Sequence, residues 1–256
     1  MGTGYSKIQN KEPIQEEIPI KEIAFSIQCN NDVDVSKIQY PIGVNKLTFK
    51  HLTFRPSQII SFPDTVTDLK LDINYSLEFI CFPKYLKKLT FGDIFNESVR
   101  NIPFPSSLTN LTFGIFFNQD IRDAIFPALT HLTLSVFFTR DIRNANFPSS
   151  LTHLTFGDHF NYDIRNANFP SSLTHLTLGH NFNQDVRNAN FPVSLTYLKF
   201  DHNFNQDIKD ANFPKGLTHL TFGWCFNQNT KDANLPKSLT HLNVMSESAL
   251  KNVLGL

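Results

Sequence analysis

The sequence lacks an excess of either charge, a paired set of cysteines and any long apolar run. Its 23 basic and 23 acidic side chains balance, so no long-range field would draw the chain to nucleic acid, and no nucleic-acid partner is expected. The three cysteines form no C-x-x-C pair, which is typical of reduced thiols in an intracellular, cytoplasmic protein. No stretch approaches the roughly 18 apolar residues of a membrane helix, and the first residues lack a signal peptide's apolar core.

Phenylalanine, by contrast, is abundant, with 26 copies against one tryptophan, and it recurs within a repeated text. Residues 147–168 read FPSSLTHLTFGDHFNYDIRNAN, and residues 169–190 read FPSSLTHLTLGHNFNQDVRNAN. Prolines mark the copies at steps of 20 to 22 residues: Pro41, Pro63, Pro83, Pro105, Pro127, Pro148, Pro170, Pro192, Pro214 and Pro236. A fixed period of this length indicates a solenoid in which each coil contacts only its neighbours.

Within one copy, Leu151, Leu154 and Phe156 end in alternation, which predicts a short strand. Gly157 is expected to permit a sharp turn after that strand, and Phe160 is expected to point back into the core. Twenty-two residues per copy leave little room for a helix, so the return to the next strand is predicted to be extended or 3₁₀-like. The fold class is therefore mainly β: a solenoid of about ten coils with one parallel sheet.

The repeats also define the domain organisation. Residues 1–17 are polar and charged, which predicts a flexible N-terminal tail, and residues 18–40 alternate apolar side chains, which predicts a cap strand. Residues 41–245 form the predicted solenoid, and residues 246–256 predict a short C-terminal helical cap. The start M-G-T-G-Y-S fits the N-myristoylation pattern, so Gly2 is a candidate lipidation site. A single myristoyl chain gives marginal binding, so at most weak membrane association is expected.

Stacked coils place equivalent residues in rows about 4.8 Å apart. The outward strand positions carry His131, His153, His175, Tyr197, His219 and His241, flanked by Thr133, Thr155, Thr177, Lys199 and Thr221. One interpretation is a metal-binding histidine ladder, since imidazole is the commonest metal ligand. The side chains of a flat row do not converge on one point, as the tetrahedral ligands of a zinc ion must. A solvent-facing recognition strip is therefore favoured, and no metal site is expected.

On the predicted return side, an aspartate column lies two residues before a basic column. Its pairs are Asp120 and Arg122, Asp141 and Arg143, Asp163 and Arg165, Asp185 and Arg187, and Asp207 and Lys209. Neighbouring columns of opposite charge predict a solvated salt-bridge ladder; the alternative is a phosphate-binding strip, whose field the acidic column would cancel. The titratable residues recur evenly and no catalytic motif occurs, which indicates a non-enzyme without a cofactor.

The motif L-T-x-L-T-F-G-x-x-F-N-x-x-I resembles the FNIP (IP22) repeat over about residues 41–245. Its Phe-Asn pairs are Phe95-Asn96, Phe117-Asn118, Phe160-Asn161, Phe182-Asn183, Phe204-Asn205 and Phe226-Asn227. The sequence departs from that pattern at Phe138-Thr139, and by R-N-A-N-F-P where a typical copy runs from Ile almost directly into Pro. FNIP proteins occur in amoebae and large amoeba-infecting viruses and are related to leucine-rich-repeat proteins. The resemblance implies a leucine-rich-repeat-like solenoid with an asparagine ladder, and no catalytic residue.

The predicted function is a non-catalytic scaffold that binds a protein partner, of unknown identity, through its extended surface. The breaks in the repeat fall in two consecutive copies, and aromatic exceptions are where binding hot spots concentrate. The predicted partner-binding residues are these breaks and three members of the histidine row: Tyr197, Lys199, Asp201, His202, Trp224, His153, His175 and His219. Two alternatives stay open: a self-associating structural protein, and a substrate receptor of a ubiquitin ligase that lacks a recognisable F-box. The oligomeric state is not predicted.

Overall fold

The computed structural model describes residues 24–29, 37–51, 59–230 and 233–245. These residues form thirteen strands: β1 Ala24–Cys29, β2 Lys46–His51, β3 Ile60–Ser61, β4 Asp68–Ile73, β5 Ile80–Cys81, β6 Lys88–Phe91, β7 Asn110–Thr112, β8 His131–Thr133, β9 His153–Thr155, β10 His175–Thr177, β11 Tyr197–Lys199, β12 His219–Phe222 and β13 His241–Val244. A 3₁₀ turn spans Leu77–Phe79. The described part of the chain contains no helix that could span a membrane.

Eleven strands form one parallel sheet in chain order, and the short strands β3 and β5 pair separately. Each main-sheet strand pairs with the equivalent residues one copy further on, as Leu132 with Leu154 and Leu154 with Leu176. The predicted mainly β solenoid built on one long parallel sheet is therefore confirmed, with the short β3–β5 pair as an addition. The ten main-sheet strands from β2 to β13 enclose nine returns. Because a coil needs a return to the next strand, these strands of the described residues correspond to about nine coils, against the ten or so expected.

The predicted end segments are described only in part. Strand β1 lies within residues 18–40 and pairs in parallel with β2, where Phe25 and Ile27 pack half-buried against the core. The tail predicted for residues 1–17, with Gly2, lies outside the described residues, and so does the helical cap predicted for residues 246–256.

The core contains a continuous column of phenylalanine rings. Its members are fully buried and stack with centroids 6.0 to 6.4 Å apart: Phe95, Phe117, Phe138, Phe160, Phe182, Phe204 and Phe226. Buried leucines of the strands line the opposite wall, with Leu132, Leu154 and Leu176 in register. Burying such a side chain stabilises the fold by roughly 1.5–3 kcal/mol, so the column can hold a thin coil together without a globular core.

The asparagines that follow this column form the ladder that the resemblance implies. The Oδ1 of Asn183 accepts the backbone N–H of Asn205 at 2.9 Å, and Oδ1 of Asn205 accepts that of Asn227 at 2.8 Å. Asn118 likewise accepts the N–H of Thr139 at 3.0 Å. Thr139 stands where the other copies have asparagine. Because threonine has no side-chain carbonyl to accept the next backbone N–H, the ladder is interrupted between Thr139 and Asn161.

The glycine that follows strands β6, β7, β9, β10 and β12 has a different role from the one predicted. The backbone of Gly157 is not left-handed; the glycine with positive φ in the described residues is Gly43, at 73°. Instead, a Cβ built on Gly157 would lie 1.8 Å from the carbonyl oxygen of Ser135 in the preceding coil. The same close approach recurs at Gly179, 1.8 Å from the oxygen of Gly157. Glycine at these positions therefore lets neighbouring coils approach backbone to backbone, although Ser135 and Asp201 occupy the same position in two other coils.

Candidate partner-binding surface

The outward side chains of strands β7 to β13 form a continuous surface, which we call the strand face. The first residues of these strands are Asn110, His131, His153, His175, Tyr197, His219 and His241, and the third residues are Thr112, Thr133, Thr155, Thr177, Lys199, Thr221 and Asn243. These positions alternate with leucines that point into the core. The parallel register places each row along the solenoid, perpendicular to the strands.

The histidines of the strand face stack ring on ring. Centroids lie 4.2 Å apart for His131 and His153 and 4.1 Å apart for His153 and His175. Tyr197 breaks the row, because its ring lies 5.4 Å from that of His175 and is tilted by 33° from that of His219 at 6.1 Å. The row then resumes at His219 and His241, 4.2 Å apart. The predicted recognition strip is thus an ordered stack with one discontinuity.

A threonine before each histidine fixes the tautomer of the ring. The hydroxyl of Thr152 lies 3.0 Å from the carbonyl oxygen of Thr130 and 2.8 Å from Nδ1 of His153. The hydroxyl has one proton, which it donates to the carbonyl, so Nδ1 must carry the hydrogen that completes the second bond. The same arrangement recurs at His131, His175, His219 and His241. Each neutral ring therefore keeps Nε2 as an acceptor for a ligand.

Stacking also alters the protonation of the central rings. Burial lowers the pKa of His153 below the ordinary 6.5, and the nearby charges of His175 and His131 lower it further. The pKa of His175 is lowered by burial first, and then by His131 and His219. The stack therefore favours neutral imidazole over imidazolium.

We expect the free energy of unfolding to fall as the pH is lowered from about 7.5 to about 5.5. Both pKa values are lower in the folded chain than the 6.5 of a free side chain, so the unfolded state binds protons first. This contribution to stability is present above about pH 6.5 and is lost as the pH falls through the folded pKa values. Urea unfolding at the two pH values measures the change. The variant His153→Gln/His175→Gln should show a weaker dependence, and an unchanged dependence would contradict the assignment.

The stack does not have the geometry of a metal site. Parallel rings about 4 Å apart direct their Nε2 lone pairs side by side, whereas a zinc site needs ligands that converge on one point. Among the described residues, no group of three or more His, Cys, Asp or Glu side chains could hold a metal ion.

The five repeat-breaking residues lie around a corner of the coil. Tyr197 and Lys199 belong to the strand face, while Asp201 and His202 follow in the turn after β11. Lys199 Nζ donates to Asp201 Oδ2 at 3.1 Å, which links the two surfaces. Asp201 and His202 therefore lie beyond the strand itself, because the chain turns after Lys199.

The last of these residues, Trp224, occupies in the next coil the position that His202 holds in its own. Its side chain is 62% exposed, and the N–H of the following Cys225 donates to the carbonyl oxygen of His202 at 2.9 Å. The His202 ring stacks on His180 at 4.5 Å. His202 and Trp224 are thus neighbours in one row at the turn, beside the strand face.

Sequence reasoning missed an apolar surface at the same turns in earlier coils, which we call the exit ridge. It consists of five side chains, of which Val136 is half-buried and the others are exposed: Ile94, Ile115, Phe116, Val136 and Phe137. The rings of Phe116 and Phe137 stack at 5.4 Å, and Phe137 stacks on His159 at 4.5 Å. The sequence did contain evidence for this surface: these apolar residues occupy the two variable positions, marked x, of the G-x-x-F-N element.

The charged columns of the return side form ion pairs within four of the five predicted coils, and in the fifth the backbone N–H of Lys209 donates to Asp207. Arg165 donates to both carboxylate oxygens of Asp163, with Nη2 to Oδ2 at 2.7 Å, and its Nη1 lies 3.7 Å from Asp185 of the next coil. The guanidinium lowers the pKa of Asp163 below its ordinary 3.8. This arrangement is the predicted salt-bridge ladder, and exposed pairs of this kind contribute little each.

Sequence comparison now assigns this architecture to a family. The model of the FNIP Repeat family matches residues 55–94, 73–116, 117–159, 138–181, 160–203, 182–225 and 204–246. The chain belongs to the FNIP repeat family. The matches extend from residue 55 to residue 246, so they include the strand face from β7 to β13 and the whole exit ridge.

A solved structure supports the same relationship. The FNIP chain is similar to CroV588, a giant-virus protein described as a novel circular LRR protein, with a TM-score of 0.70 and 39% sequence identity. The similarity covers 79% of this chain and 30% of that chain, so this chain spans less than a third of the length of the solved one. The comparison with curated proteins gave no match.

Proposed function

We propose that this FNIP solenoid is a non-catalytic scaffold that binds a protein partner across the strand face and the adjoining turn of β11 and β12. The observation that carries the proposal is the break in the histidine stack. Tyr197 separates two runs of closely stacked rings, Lys199 of the same strand pairs with Asp201, and Trp224 is exposed at the turn of the next coil. A regular array with one irregular, aromatic segment has the character of a binding surface with a local hot spot.

The strand face offers a preorganised polar surface. Its rings are held by neighbouring rings and by threonine hydroxyls, so little side-chain entropy would be lost when a partner binds. The row of Nε2 acceptors suits N–H and O–H donors of a protein surface. Neutral imidazoles and threonines make such an interface polar, and the break supplies a large aromatic contact in Tyr197 and another in Trp224.

A comparative affinity capture tests this proposal. The variant Tyr197→Ala/Lys199→Ala/Trp224→Ala should lose the partners that the wild-type chain retains, because it removes both aromatic side chains and the ion pair at the break. The matched control is Tyr162→Ala/Arg165→Ala, which removes an aromatic and a basic side chain from the return side and should keep every partner. Quantitative mass spectrometry of the captured proteins provides the measurement.

The three side chains are partly or largely exposed, so the triple variant should stay folded, and circular dichroism must show this before the capture is interpreted. A folded triple variant that retains every partner would contradict the assignment of the site.

The same experiment separates the alternatives. Self-association would place the chain itself among the captured proteins and would give a mass above 29.3 kDa that rises with concentration in light scattering. A ubiquitin-ligase receptor would retain ligase subunits in both variants, since their binding would not depend on the strand face. A heterologous partner lost only from the triple variant supports the scaffold proposal over both.

A further inference from the structure

We propose that the exit ridge is a second docking surface, and that it binds an amphipathic helix whose apolar stripe is flanked by basic residues. This inference is independent of the proposed site at Tyr197, because the two surfaces lie in different coils. Apolar side chains of this size seldom cluster in solvent without a binding role. Phe116 is 51% exposed and Phe137 is 38% exposed, and their rings are stacked with 4° between their planes.

The charges at the ends of the ridge indicate the partner's chemistry. In the row that contains Ile115 and Val136, the coil before contributes Asp93 and the coil after contributes Asp158. Both are exposed, and neither carboxylate has an ion-pair partner among the described residues. Four aspartates of the return side differ in this respect, since each pairs with an arginine of its own coil: Asp120, Asp141, Asp163 and Asp185. The ridge thus presents an apolar centre between two uncompensated negative charges.

The backbone of the turn excludes binding by strand addition. The N–H of Phe116 donates to the carbonyl oxygen of Asp93 at 2.9 Å, and that of Phe137 donates to Ile115 at 3.1 Å. The N–H of His159 donates to Val136 at 2.9 Å. Because these groups already bond from coil to coil, a partner must be recognised through side chains. A helix meets this requirement, since its own backbone is satisfied internally and one face presents apolar side chains.

The dimensions fit such a helix. Three coil steps separate Asp93 from Asp158, which is roughly 14 Å at the strand spacing. A helix rises about 1.5 Å per residue and turns once in about 3.6 residues, so basic residues about eleven positions apart lie on one face roughly 16 Å apart, and their flexible side chains would reach the two carboxylates. Apolar residues between them at i+3, i+4 and i+7 would lie on the same face and contact the rings of Phe116 and Phe137.

Selection from a displayed peptide library on the full chain tests the proposal. The variant Phe116→Ala/Phe137→Ala serves for counter-selection. Its rings are 51% and 38% exposed, so a modest fall in melting temperature is expected, and circular dichroism must show that the variant is folded before the selection is interpreted. We expect the enriched peptides to carry a helical apolar stripe with Lys or Arg at both ends. Binding should weaken by roughly tenfold or more on the counter-selection variant, and less strongly on Asp93→Asn/Asp158→Asn.

The controls keep this result distinct from the first site. Peptides selected on the ridge should bind Tyr197→Ala/Lys199→Ala/Trp224→Ala as tightly as the wild type, and they should also bind Val193→Ala normally, an exposed apolar residue remote from the ridge. The proposal would be overturned if no peptide distinguished the wild type from Phe116→Ala/Phe137→Ala. It would equally be overturned if the selected peptides had acidic ends or were indifferent to Asp93→Asn/Asp158→Asn.

Discussion

Replacing Phe160 by alanine is expected to lower the free energy of unfolding by about 3–5 kcal/mol. The ring is fully buried and lies 6.3 Å from Phe138, 6.1 Å from Phe182 and 4.0 Å from Phe156. Removing it leaves a gap in the column that neighbouring coils cannot close, because hydrogen bonds between strands and between turns fix the spacing of the coils. Urea unfolding followed by circular dichroism measures the loss.

The matched control for Phe160 is His153→Ala in the same coil. That side chain lies on the strand face, and surface changes usually alter stability by no more than about 0.5 kcal/mol. A large loss from His153→Ala together with a small loss from Phe160→Ala would reverse the assignment of the inside and outside of the coil.

The variant Gly179→Ala is expected to destabilise the chain by about 1–3 kcal/mol, the usual effect of overpacking. Its added Cβ would lie 1.8 Å from the carbonyl oxygen of Gly157, and a backbone atom cannot move aside as a flexible side chain can. Relief requires the two coils to separate, which weakens the hydrogen bond between them from the Asn181 N–H to the carbonyl oxygen of Asp158, at 2.8 Å, and the contacts around it. Thermal unfolding of the purified variant provides the measurement.

Gly216→Ala is the control for this prediction. There the nearest atom to a built Cβ is the carbonyl oxygen of Val193, at an ordinary 3.6 Å, so stability should be unchanged or slightly raised, because alanine restricts the unfolded chain. Equal effects of the two substitutions would show that the glycine column is not required by the close approach of the coils.

The period and the strand could be predicted because they depend on residues within one copy. Leu151, Leu154 and Phe156 alternate, and the same alternation in every copy forces a parallel stack. The role of Gly157 could not be predicted in this way. The restriction on the size of the residue at position 157 comes from the backbone of Ser135 in the preceding coil. A contact between two coils cannot be inferred from the sequence of one copy.

The candidate surface was predicted in part for the same reason. The strand-face positions of Tyr197 and Lys199 follow from the two-residue period of a strand. The positions of His202 and Trp224 depend on where the chain leaves the strand, which the period does not determine. The exit ridge was missed because the two residues between Gly and Phe-Asn vary between copies, so they resemble a neutral loop until adjacent coils bring Phe116 and Phe137 together.

Site-specific photo-crosslinking tests the central claim that partners bind the strand face. A benzoylphenylalanine at position 197 places the reactive group at the break in the histidine stack, and the same residue at position 162 replaces a 43% exposed tyrosine on the return side. We expect crosslinks to a protein partner from position 197 and none to that partner from position 162. Crosslinks from position 162 alone would contradict the proposed binding surface.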